Sequence, residues 1–342
     1  MAQRSNNADQ FSSFVTSVTQ DKYVPKVIDN VLNGNVLCLR FLQNPRPWGS
    51  GHLLRVPIKY QTSSAGGSYS GFDSFSTSQQ NTRTWATFDP KQNYFSVVLS
   101  GIQRAVNKGD AAVLDLLATE MSSVADDMAD GLGTQMYSDG SGNSYKDIQG
   151  LAAIINDGTD TATYGGLSRA TYTTWLSDED ADSEAITLAD LRASYDAATH
   201  GTDHPTIIVT TPAIWTTYEG LLSATINYHS QVQGYPKMTR FGIKRDAGTG
   251  QTGDVGFDTL FFRGIPLVAD EKCTTGYVWL INEKHLWFST LAHPDFPVRE
   301  KGFAWTGLQR PTNQDASVGQ FLLYGNMAAD SCRTHAYQKA KT

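Results

Sequence analysis

The stretch that decides the fold is DAAVLDLLATEMSSVADDMADGLGTQM, residues 110–136. Its apolar residues recur at spacings of three and four, which places them in one stripe along an α-helix. They are Val113, Leu114, Leu117, Met121, Val124, Met128, Leu132 and Met136. Asp110 follows Gly109 and suits the N-cap position, and the Gly/Ser-rich residues 139–143 end the pattern. The spacing predicts a rod of about 40 Å, since an α-helix rises 1.5 Å per residue.

The polar face of this rod is acidic. Residues 109–145 contain seven Asp and Glu residues and no Lys or Arg, and the whole chain has a net charge of −7. We expect a solvated helix face. The alternative is that these acids meet basic residues of another copy of the chain, or of an arm that crosses the rod.

Upstream of the rod, two β-like runs flank a polar tract. Residues 53–60 and 85–99 have the character of strands, and residues 61–84 between them are rich in Ser, Gly, Thr and Gln. This pattern predicts a long hairpin arm. A lone two-stranded hairpin is marginal in water, so such an arm needs a neighbour to lie on. Before it we expect a loose polar arm over residues 1–20, a short amphipathic helix over 23–32 and a strand over 36–42.

Downstream of the rod, helices and strands alternate. We expect strands over residues 150–155, 206–210, 257–262, 266–269 and 277–281, a loop and short helix over 164–175, and helices that begin at Thr187 and at Thr211-Pro212. Pro is tolerated at the first position of a helix. After Glu283 the pattern is mostly β, over residues 285–290, 298–309 and 320–327. The fold class is therefore α+β, with an α/β unit of about 140 residues after the rod.

Composition excludes several classes of protein. With 40% hydrophobic residues the chain can bury a core, and without a basic tract it is not suited to tight nucleic-acid binding. No apolar run approaches the roughly 20 residues that span a bilayer, and the first ten residues lack the apolar core of a signal peptide. Cys38, Cys273 and Cys332 are far apart and lack partner motifs. We expect free, buried thiols in a soluble chain made in a reducing cytosol.

Motifs that suggest chemistry are weak. Residues 248–253 satisfy GxGxxG, but no helical pattern follows to hold a pyrophosphate, so a flexible loop is the better interpretation. His285, His293 and Asp295 lack the spacing of convergent metal ligands. The acidic run 178–184 could hold Ca²⁺, but it lacks the glycine turn of an EF-hand, and we interpret it as a solvated loop. We therefore expect no enzyme: no catalytic residue, no cofactor and no metal.

The order of these parts resembles the major capsid protein of tailed bacteriophages, the Hong Kong 97-type shell fold that encapsulins share. Local sequence is also similar to that family. Asp147-Ile148-Gln149-Gly150-Leu151 stands where the chain leaves the long helix, and Phe262-Arg263-Gly264-Ile265-Pro266 is similar to the family's strand pair. Residues 205–222 combine a strand with a Thr-Pro helix. Arg333-Thr334-His335-Ala336 is similar to its closing strand.

The resemblance implies a division of the chain. Residues 1–48 would be an N-terminal arm and 49–104 the extended hairpin loop with strands of the peripheral domain. Residues 105–146 would hold the spine helix of that domain, and 147–284 the α/β axial domain. Residues 285–342 would return as strands of the peripheral domain and end in a C-terminal strand.

The resemblance also implies partners. Copies of the chain would form hexamers and pentamers of an icosahedral shell around phage DNA, without sequence-specific contacts, inside a virion assembled in the bacterial cytoplasm. The hairpin arm would lie over neighbours, with Arg83, Trp85, Phe88, Tyr94 and Phe95 as contact residues. A separate scaffolding protein and a portal are implied, because about 100 residues before the rod leave no room for a fused scaffold. A decoration protein is a further partner of such shells.

Two alternatives stay open. An encapsulin-type compartment has the same fold but encloses a protein cargo, although encapsulins usually open with a cargo-docking helix and this chain opens with a polar arm. A cytosolic binding protein that uses the α/β unit alone is the alternative from another class, and it would be monomeric.

Overall fold

The computed structural model describes residues 35–49, 51–106, 110–226, 241–242, 256–257, 259–295, 298–300 and 302–342. The arm expected over residues 1–20, the helix expected over 23–32 and the loop 248–253 lie outside these ranges. The helices are α1 (Cys38–Leu42, of π type), α2 (Gly101–Val106), α3 (Asp110–Tyr137), α4 (Leu151–Ile154), α5 (Leu188–Ala197) and α6 (Pro212–Ile226), with a 3-10 turn at Thr173–Trp175.

The strands follow in the same chain order. They are β1 (Arg46–Pro47), β2 (Leu54–Lys59), β3 (Arg83–Phe88), β4 (Lys91–Ser100), β5 (Thr163–Tyr164), β6 (Leu167–Ser168), β7 (Asp178–Asp180), β8 (Ile207–Thr210), β9 (Phe241–Gly242), β10 (Gly256–Phe257), β11 (Thr259–Phe262), β12 (Ile265–Ala269), β13 (Val278–Ile281), β14 (Leu286–Thr290), β15 (Val298–Glu300), β16 (Phe303–Trp305), β17 (Ala316–Ala329) and β18 (Ala336–Gln338).

The first large sheet is organised around the 14-residue strand β17. One edge of β17 pairs with β14 and β16, and β4 pairs antiparallel with it from Lys91↔Gly325 to Ser100↔Ala316. The full order is β1-β14-β17-β16-β15, with β4 against β17. The sheet therefore joins the segment that follows the hairpin to the last sixth of the chain.

The second large sheet has the order β11-β12-β8-β13-β18-β7. Its side chains alternate between two cores: Ile208 packs with α5 and α6, whereas Ile207 and Val209 belong to the core that contains α3. β11 and β12 form a tight hairpin at Arg263-Gly264, where φ is 49° and 81°. Positive φ at both central residues is what a two-residue hairpin turn of type I′ requires. This strand pair agrees with the sequence expectation.

The long helix α3 agrees with the predicted rod. Leu117, Met121, Met128, Leu132 and Met136 of its stripe are fully buried. The helix packs against β4, where Gln135 Nε2 donates to Asn93 Oδ1 at 3.1 Å. A Cβ on Gly131 would lie 3.3 Å from the ring of Phe95, so the missing side chain at 131 lets strand and helix approach closely.

Two expected strands are helical instead. Residues 36–42 contain α1, and residues 150–155 contain the single turn α4. Apart from Arg40, both runs are mostly apolar and buried, and a short run of this kind does not distinguish a strand from a helix. In residues 36–42, the helical turn begins where the side-chain oxygen Oδ1 of Asn35 accepts a hydrogen bond from the backbone N of Leu37 at 3.1 Å. At the second, a Cβ on Gly150 would lie 2.3 Å from the carbonyl oxygen of Met136, so the turn sits directly on the end of α3.

Three other expectations need adjustment. Residues 85–99 form two strands, because Asp89 and Pro90 interrupt the run between β3 and β4. The closing strand is Ala336–Gln338 rather than 333–336, and it lies in the second sheet between β13 and β7. The acidic run 178–184 is a solvated loop only in its second half, since residues 178–180 form β7 and residues 181–184 are exposed. The domain boundaries given above stay a proposal.

The buried stripe of α3 gives a direct test of this organisation. Leu117→Asp places a carboxylate at a fully buried position, and we expect it to cost several kcal/mol of unfolding free energy, on the order of 3 or more. Thermal unfolding and soluble yield measure this. Ser123→Asp, on the exposed side of the same helix, is the matched control. Unchanged stability of the Leu117 variant would mean that the stripe is not core.

His335 gives a second test, based on pH. Its ring is fully buried before β18, and Nδ1 accepts from the backbone N of Asn282 at 3.0 Å. Burial, with a smaller effect of nearby His285, lowers the pKa of His335 from 6.5 to about 3. Below pH 6.5 the unfolded chain therefore binds a proton at this histidine that the folded chain does not bind, so the free energy of unfolding decreases as the pH is lowered. At pH 5 the decrease is about 2 kcal/mol.

Denaturant unfolding at pH 7 and pH 5 measures this loss. His335→Asn keeps an acceptor for Asn282 but cannot take up a proton, so it should lack the His335 part of the pH dependence. His52→Asn, at an exposed position, should retain it. Equal pH dependence in all three proteins would contradict the assignment.

Candidate functional site

The hairpin arm is held together mainly by its own polar groups. β2 and β3 pair from Leu54↔Phe88 to Lys59↔Arg83. Beyond them, the N–H of Tyr60 donates to the carbonyl of Thr82 at 3.1 Å, and Ser64 N donates to Gln80 Oε1 at 2.8 Å. Residues 61–82 contain no buried side chain. Beyond its paired strands, the arm therefore adds no buried side chain to the core of its own subunit.

The end of the arm carries three exposed aromatic side chains, which we call the aromatic tip: Tyr69, Phe72 and Phe75. Phe72 is fully exposed, and the rings of Tyr69 and Phe75 meet edge to face with centroids 4.9 Å apart. A turn closes the tip, since Asp73 N donates to the carbonyl of Ser70 and Ser70 N donates to Asp73 Oδ2, both at 2.8 Å. Exposed apolar clusters of this kind mark interaction surfaces.

The five residues expected at subunit contacts fall into different places. Arg83, Trp85 and Tyr94 are exposed, with Trp85 at 60% and Tyr94 at 70%. Phe95 is half-buried against the core beside α3. Phe88 is fully buried, and its ring lies 5.2 Å from that of Tyr164. The expectation for Phe88 is wrong, because its side chain is part of the subunit core. Contacts by the other four stay a prediction.

An open groove lies where the arm joins the first sheet, on the face of β4 and β17 opposite α3. Its volume is about 800 Å³, and we call it the tyrosine groove. Residues that line it include Gln92, Tyr94, Tyr145, Lys146, Leu322 and Tyr324. Tyr94 lies directly across from Leu322 in the strand pairing. Tyr94 and Tyr145 are both largely exposed.

One wall of this groove is an unusual turn. Asn143, Ser144 and Tyr145 follow one another with φ of 48°, 59° and 63°. Non-glycine residues adopt this left-handed region at a cost of about 1–2 kcal/mol each. Lys91 holds the turn, since its ammonium donates to the carbonyl of Tyr145 at 2.8 Å while it pairs with Asp89 at 2.8 Å. The turn presents the Tyr145 ring at the groove.

The acidic segments have partners inside the subunit. On α3, Asp130 pairs with Lys272 at 2.7 Å, while Asp126 and Asp127 are exposed. In the second sheet, Lys341 is buried with its ammonium 3.0 Å from Asp180, 3.6 Å from Glu184 and 3.9 Å from Asp190. Burial alone would lower the pKa of Lys341, but these carboxylates outweigh that effect and raise it. The ammonium group of Lys341 thus lies among carboxylates of the acidic run 178–184, which was considered as a Ca²⁺ site.

The histidines are engaged separately. His285 Nδ1 lies 2.7 Å from Asp330 and Nε2 lies 3.4 Å from Asp203, whereas His293 Nδ1 accepts from the backbone N of Asp295 at 3.1 Å. Among the described side chains, no three His, Cys, Asp or Glu residues are placed to hold a metal ion. The three cysteines are buried and unbonded. In the part of the chain that the structure describes, no helix is long and apolar enough to cross a membrane.

Comparisons with solved structures identify the fold. The chain is similar to a chain of the cyanophage A-1(L) capsid, with a TM-score of 0.62, 17% identity, and 90% of this chain and 92% of that chain covered. It is also similar to an encapsulin of Synechococcus elongatus (TM-score 0.54, 11% identity, 89% and 86% covered) and to a chain of Mycobacterium phage Bobi (0.51, 9%, 91% and 89%). No family model and no curated protein sequence matches the chain.

The fold is therefore the capsid-shell fold of the Hong Kong 97 type, in the α+β class, as the order of the sequence elements suggested. Sequence reasoning missed the aromatic tip and the tyrosine groove. A signal for the tip was present, because Tyr69, Phe72 and Phe75 interrupt an otherwise small and polar tract at regular spacings of three. No local signal marks the groove, since its residues come from three distant segments.

Removal of the arm separates folding from assembly. A variant in which residues 63–82 are replaced by a short Gly-Ser turn loses no buried side chain, so we expect cooperative unfolding within a few degrees of the wild-type Tm. The same variant should fail to form large assemblies, measured by light scattering. Loss of cooperative unfolding would show that the arm belongs to the core of the subunit.

Proposed function

We propose that the chain is the major capsid protein of a tailed bacteriophage, a coat protein that assembles into hexamers and pentamers of an icosahedral shell around phage DNA. The observation that carries this proposal is the hairpin arm, which projects exposed aromatic side chains and buries none of its outer residues, on a capsid-shell fold. An arm of this kind gains stability only when it packs on another copy of the chain.

The energetics favour assembly from many weak contacts. Burying one aromatic ring contributes about 1.5–3 kcal/mol, and each subunit offers three rings at the tip and further exposed ones that include Trp85 and Tyr94. Closed symmetry repeats each contact around a ring and across the shell, so modest pairwise affinity gives a stable particle.

The charge of the chain favours a shell protein over a protein that binds nucleic acid in a sequence-specific manner. The net charge is −7, and Lys339 and Lys341 are engaged by carboxylates of the second sheet. DNA inside such a shell is held by confinement, without sequence-specific contacts. Our proposal includes a separate scaffolding protein, a portal and a decoration protein as partners, and assembly in the cytoplasm of the bacterial host.

An encapsulin-type compartment is the second candidate function. It is supported by the similarity to the Synechococcus elongatus encapsulin, which covers 89% of this chain. Both candidate functions involve a closed shell, and they differ in whether the shell encloses phage DNA or a protein cargo. Genes for a terminase and a portal next to this one support the phage capsid, whereas an enzyme gene with a C-terminal targeting tail supports the compartment.

Imaging of the purified protein tests the proposal. We expect negative-stain images to show closed particles or capsomers, and light scattering to show masses far above the 37.4 kDa of one chain. A protein that stays monomeric at varied salt, and with a scaffolding protein supplied, would contradict a shell function. It would favour the cytosolic binding protein instead.

A further inference from the structure

The two strands of the hairpin arm rest on one segment of their own subunit, residues 161–175, which we call the cradle. The cradle contains β5, β6 and the 3-10 turn that follows them. Strand β3 contacts it near the root of the arm, where the backbone N of Thr87 donates to the carbonyl of Gly165 at 2.8 Å. Strand β2 contacts it at the outer end, where the ring of Tyr60 meets that of Tyr172 edge to face with centroids 5.1 Å apart.

These two contacts lie near opposite ends of the β2–β3 ladder. Thr87 is close to the root, whereas Tyr60 follows the last paired residue of β2 and donates its N–H to the carbonyl of Thr82 at 3.1 Å. The strand from Thr82 to Thr87 spans about 17 Å when extended. A segment held at two points this far apart keeps one direction, whereas a segment held at one point can pivot.

The close approach of the cradle to β3 depends on two glycines. Gly165 and Gly166 form the turn between β5 and β6, with φ of 59° and 73°, and a two-residue hairpin turn requires such left-handed values. A Cβ on Gly165 would lie 3.1 Å from the ring of Phe88, and a Cβ on Gly166 would lie 2.9 Å from Oγ1 of Thr87. A side chain at either position would therefore push β3 away from the cradle.

The cradle is held in place by the side chain of Arg169, which is buried. Its guanidinium donates to the carbonyl of Thr161 at 2.6 Å and to that of Trp175 at 3.3 Å, so it joins the two ends of the cradle. It also donates to the carbonyls of Ala153 and Ile154 at 2.8 and 2.7 Å. These two carbonyls belong to α4, which sits directly on the end of α3. One side chain thus links the cradle to the long helix.

The chemistry of this position favours arginine over lysine. Among the residues that the structure describes, no carboxylate pairs with Arg169, and burial lowers the pKa of its guanidinium. A buried cation without a counter-charge is costly unless its N–H groups are hydrogen-bonded. Guanidinium offers five N–H donors in a fixed planar fork, whereas an ammonium offers three on a single nitrogen. Carbonyls from three places around the side chain match the fork.

We propose that Arg169 is the positioning residue of the hairpin arm, because it holds the cradle to the end of α3 and the cradle sets the direction in which the arm leaves the subunit. This inference rests on the proposed shell function and adds what prepares the free subunit for assembly. The direction is set before a neighbour binds, so less conformational entropy is lost on association. All copies then present their arms alike, as contacts repeated by symmetry require.

The direction of the arm can be measured in free subunits as the distance between two spin labels. Labels at Arg83→Cys on the arm and Ser123→Cys on α3 occupy exposed positions, and the native cysteines are buried. We expect one narrow distribution of distances. Gly166→Ala should shift or broaden it, because the added methyl group meets Oγ1 of Thr87. Thr87→Ala in the same chain removes that oxygen and should restore the distribution.

Gly201→Ala is the matched control for the glycine variant. Gly201 has φ of 67°, close to that of Gly166, but no atom lies within 4 Å of its Cβ position. The two substitutions therefore introduce similar backbone strain, and only Gly166→Ala meets the arm. An unchanged distance in Gly166→Ala, or an equal change in Gly201→Ala, would overturn the role of the cradle.

Arg169→Lys tests the positioning residue itself. It keeps the charge but cannot reach all four carbonyls, so the distances should broaden and the critical concentration for assembly should rise about tenfold or more. Arg192→Lys, at an exposed position on α5, should change neither. A residue that only stabilised the fold would lower the Tm and leave the distance in folded subunits unchanged. If Arg169→Lys yields no folded subunits, Gly166→Ala with and without Thr87→Ala decides whether the cradle positions the arm for assembly.

The two readouts separate this inference from the proposed function. Broadened distances with an unchanged critical concentration would mean that assembly does not need a fixed arm, so the inference would fail and the shell function would stand. A narrow, unchanged distance in folded Arg169→Lys subunits also overturns it. If wild-type subunits form no particles, the shell function fails, whereas the distances still decide whether Arg169 positions the arm.

Discussion

The antiparallel ladder between β4 and β17 is the constraint on which the rest of the structure depends. It joins residues 91–100 to residues 316–325, more than 200 positions apart in the chain. Its inner face packs against α3, and its outer face carries Tyr94, Leu322 and Tyr324 of the groove. The hairpin arm enters this ladder through Asp89 and Pro90, and β14 and β16 pair with the same β17. One pairing thus fixes the core, the root of the arm and the groove.

Core and surface use residues of different kinds. The stripe of α3 and the two faces of the second sheet are apolar and buried, and residues 61–82 of the arm add no buried side chain to this core. Residues 61–82 of the arm are mostly polar, and the aromatic tip is exposed, so its rings are available for contact with another molecule. This separation of a buried apolar core from an exposed aromatic surface suits a protein that assembles. Its subunits must be folded and soluble before association and must then bind one another.

The fold could be predicted from sequence where a periodic pattern indicates burial on one side, as in the α3 stripe and the hairpin strands. It could also be predicted where a residue favours the start of a helix, as at Thr187 and Pro212. Residues 36–42 and 150–155 could not be predicted, because mostly apolar runs carry no period, and Asn35 and Gly150 decide them through tertiary contacts. Phe88 was placed at a contact because it is aromatic like Trp85, but the two residues lie three positions apart in one strand and so point to opposite faces. Trp85 is exposed, and Phe88 is in the core.

Hydrogen–deuterium exchange tests the central claim most directly, namely that the arm is completed by a neighbouring copy. Amides of β4 and β17 lie in the ladder of the single subunit and should be protected both in free subunits and in particles. Amides of residues 61–82 lie mostly outside any ladder and should exchange rapidly in free subunits but become protected in particles. Rapid exchange of residues 61–82 in both states would contradict the claim, as would equal protection in both.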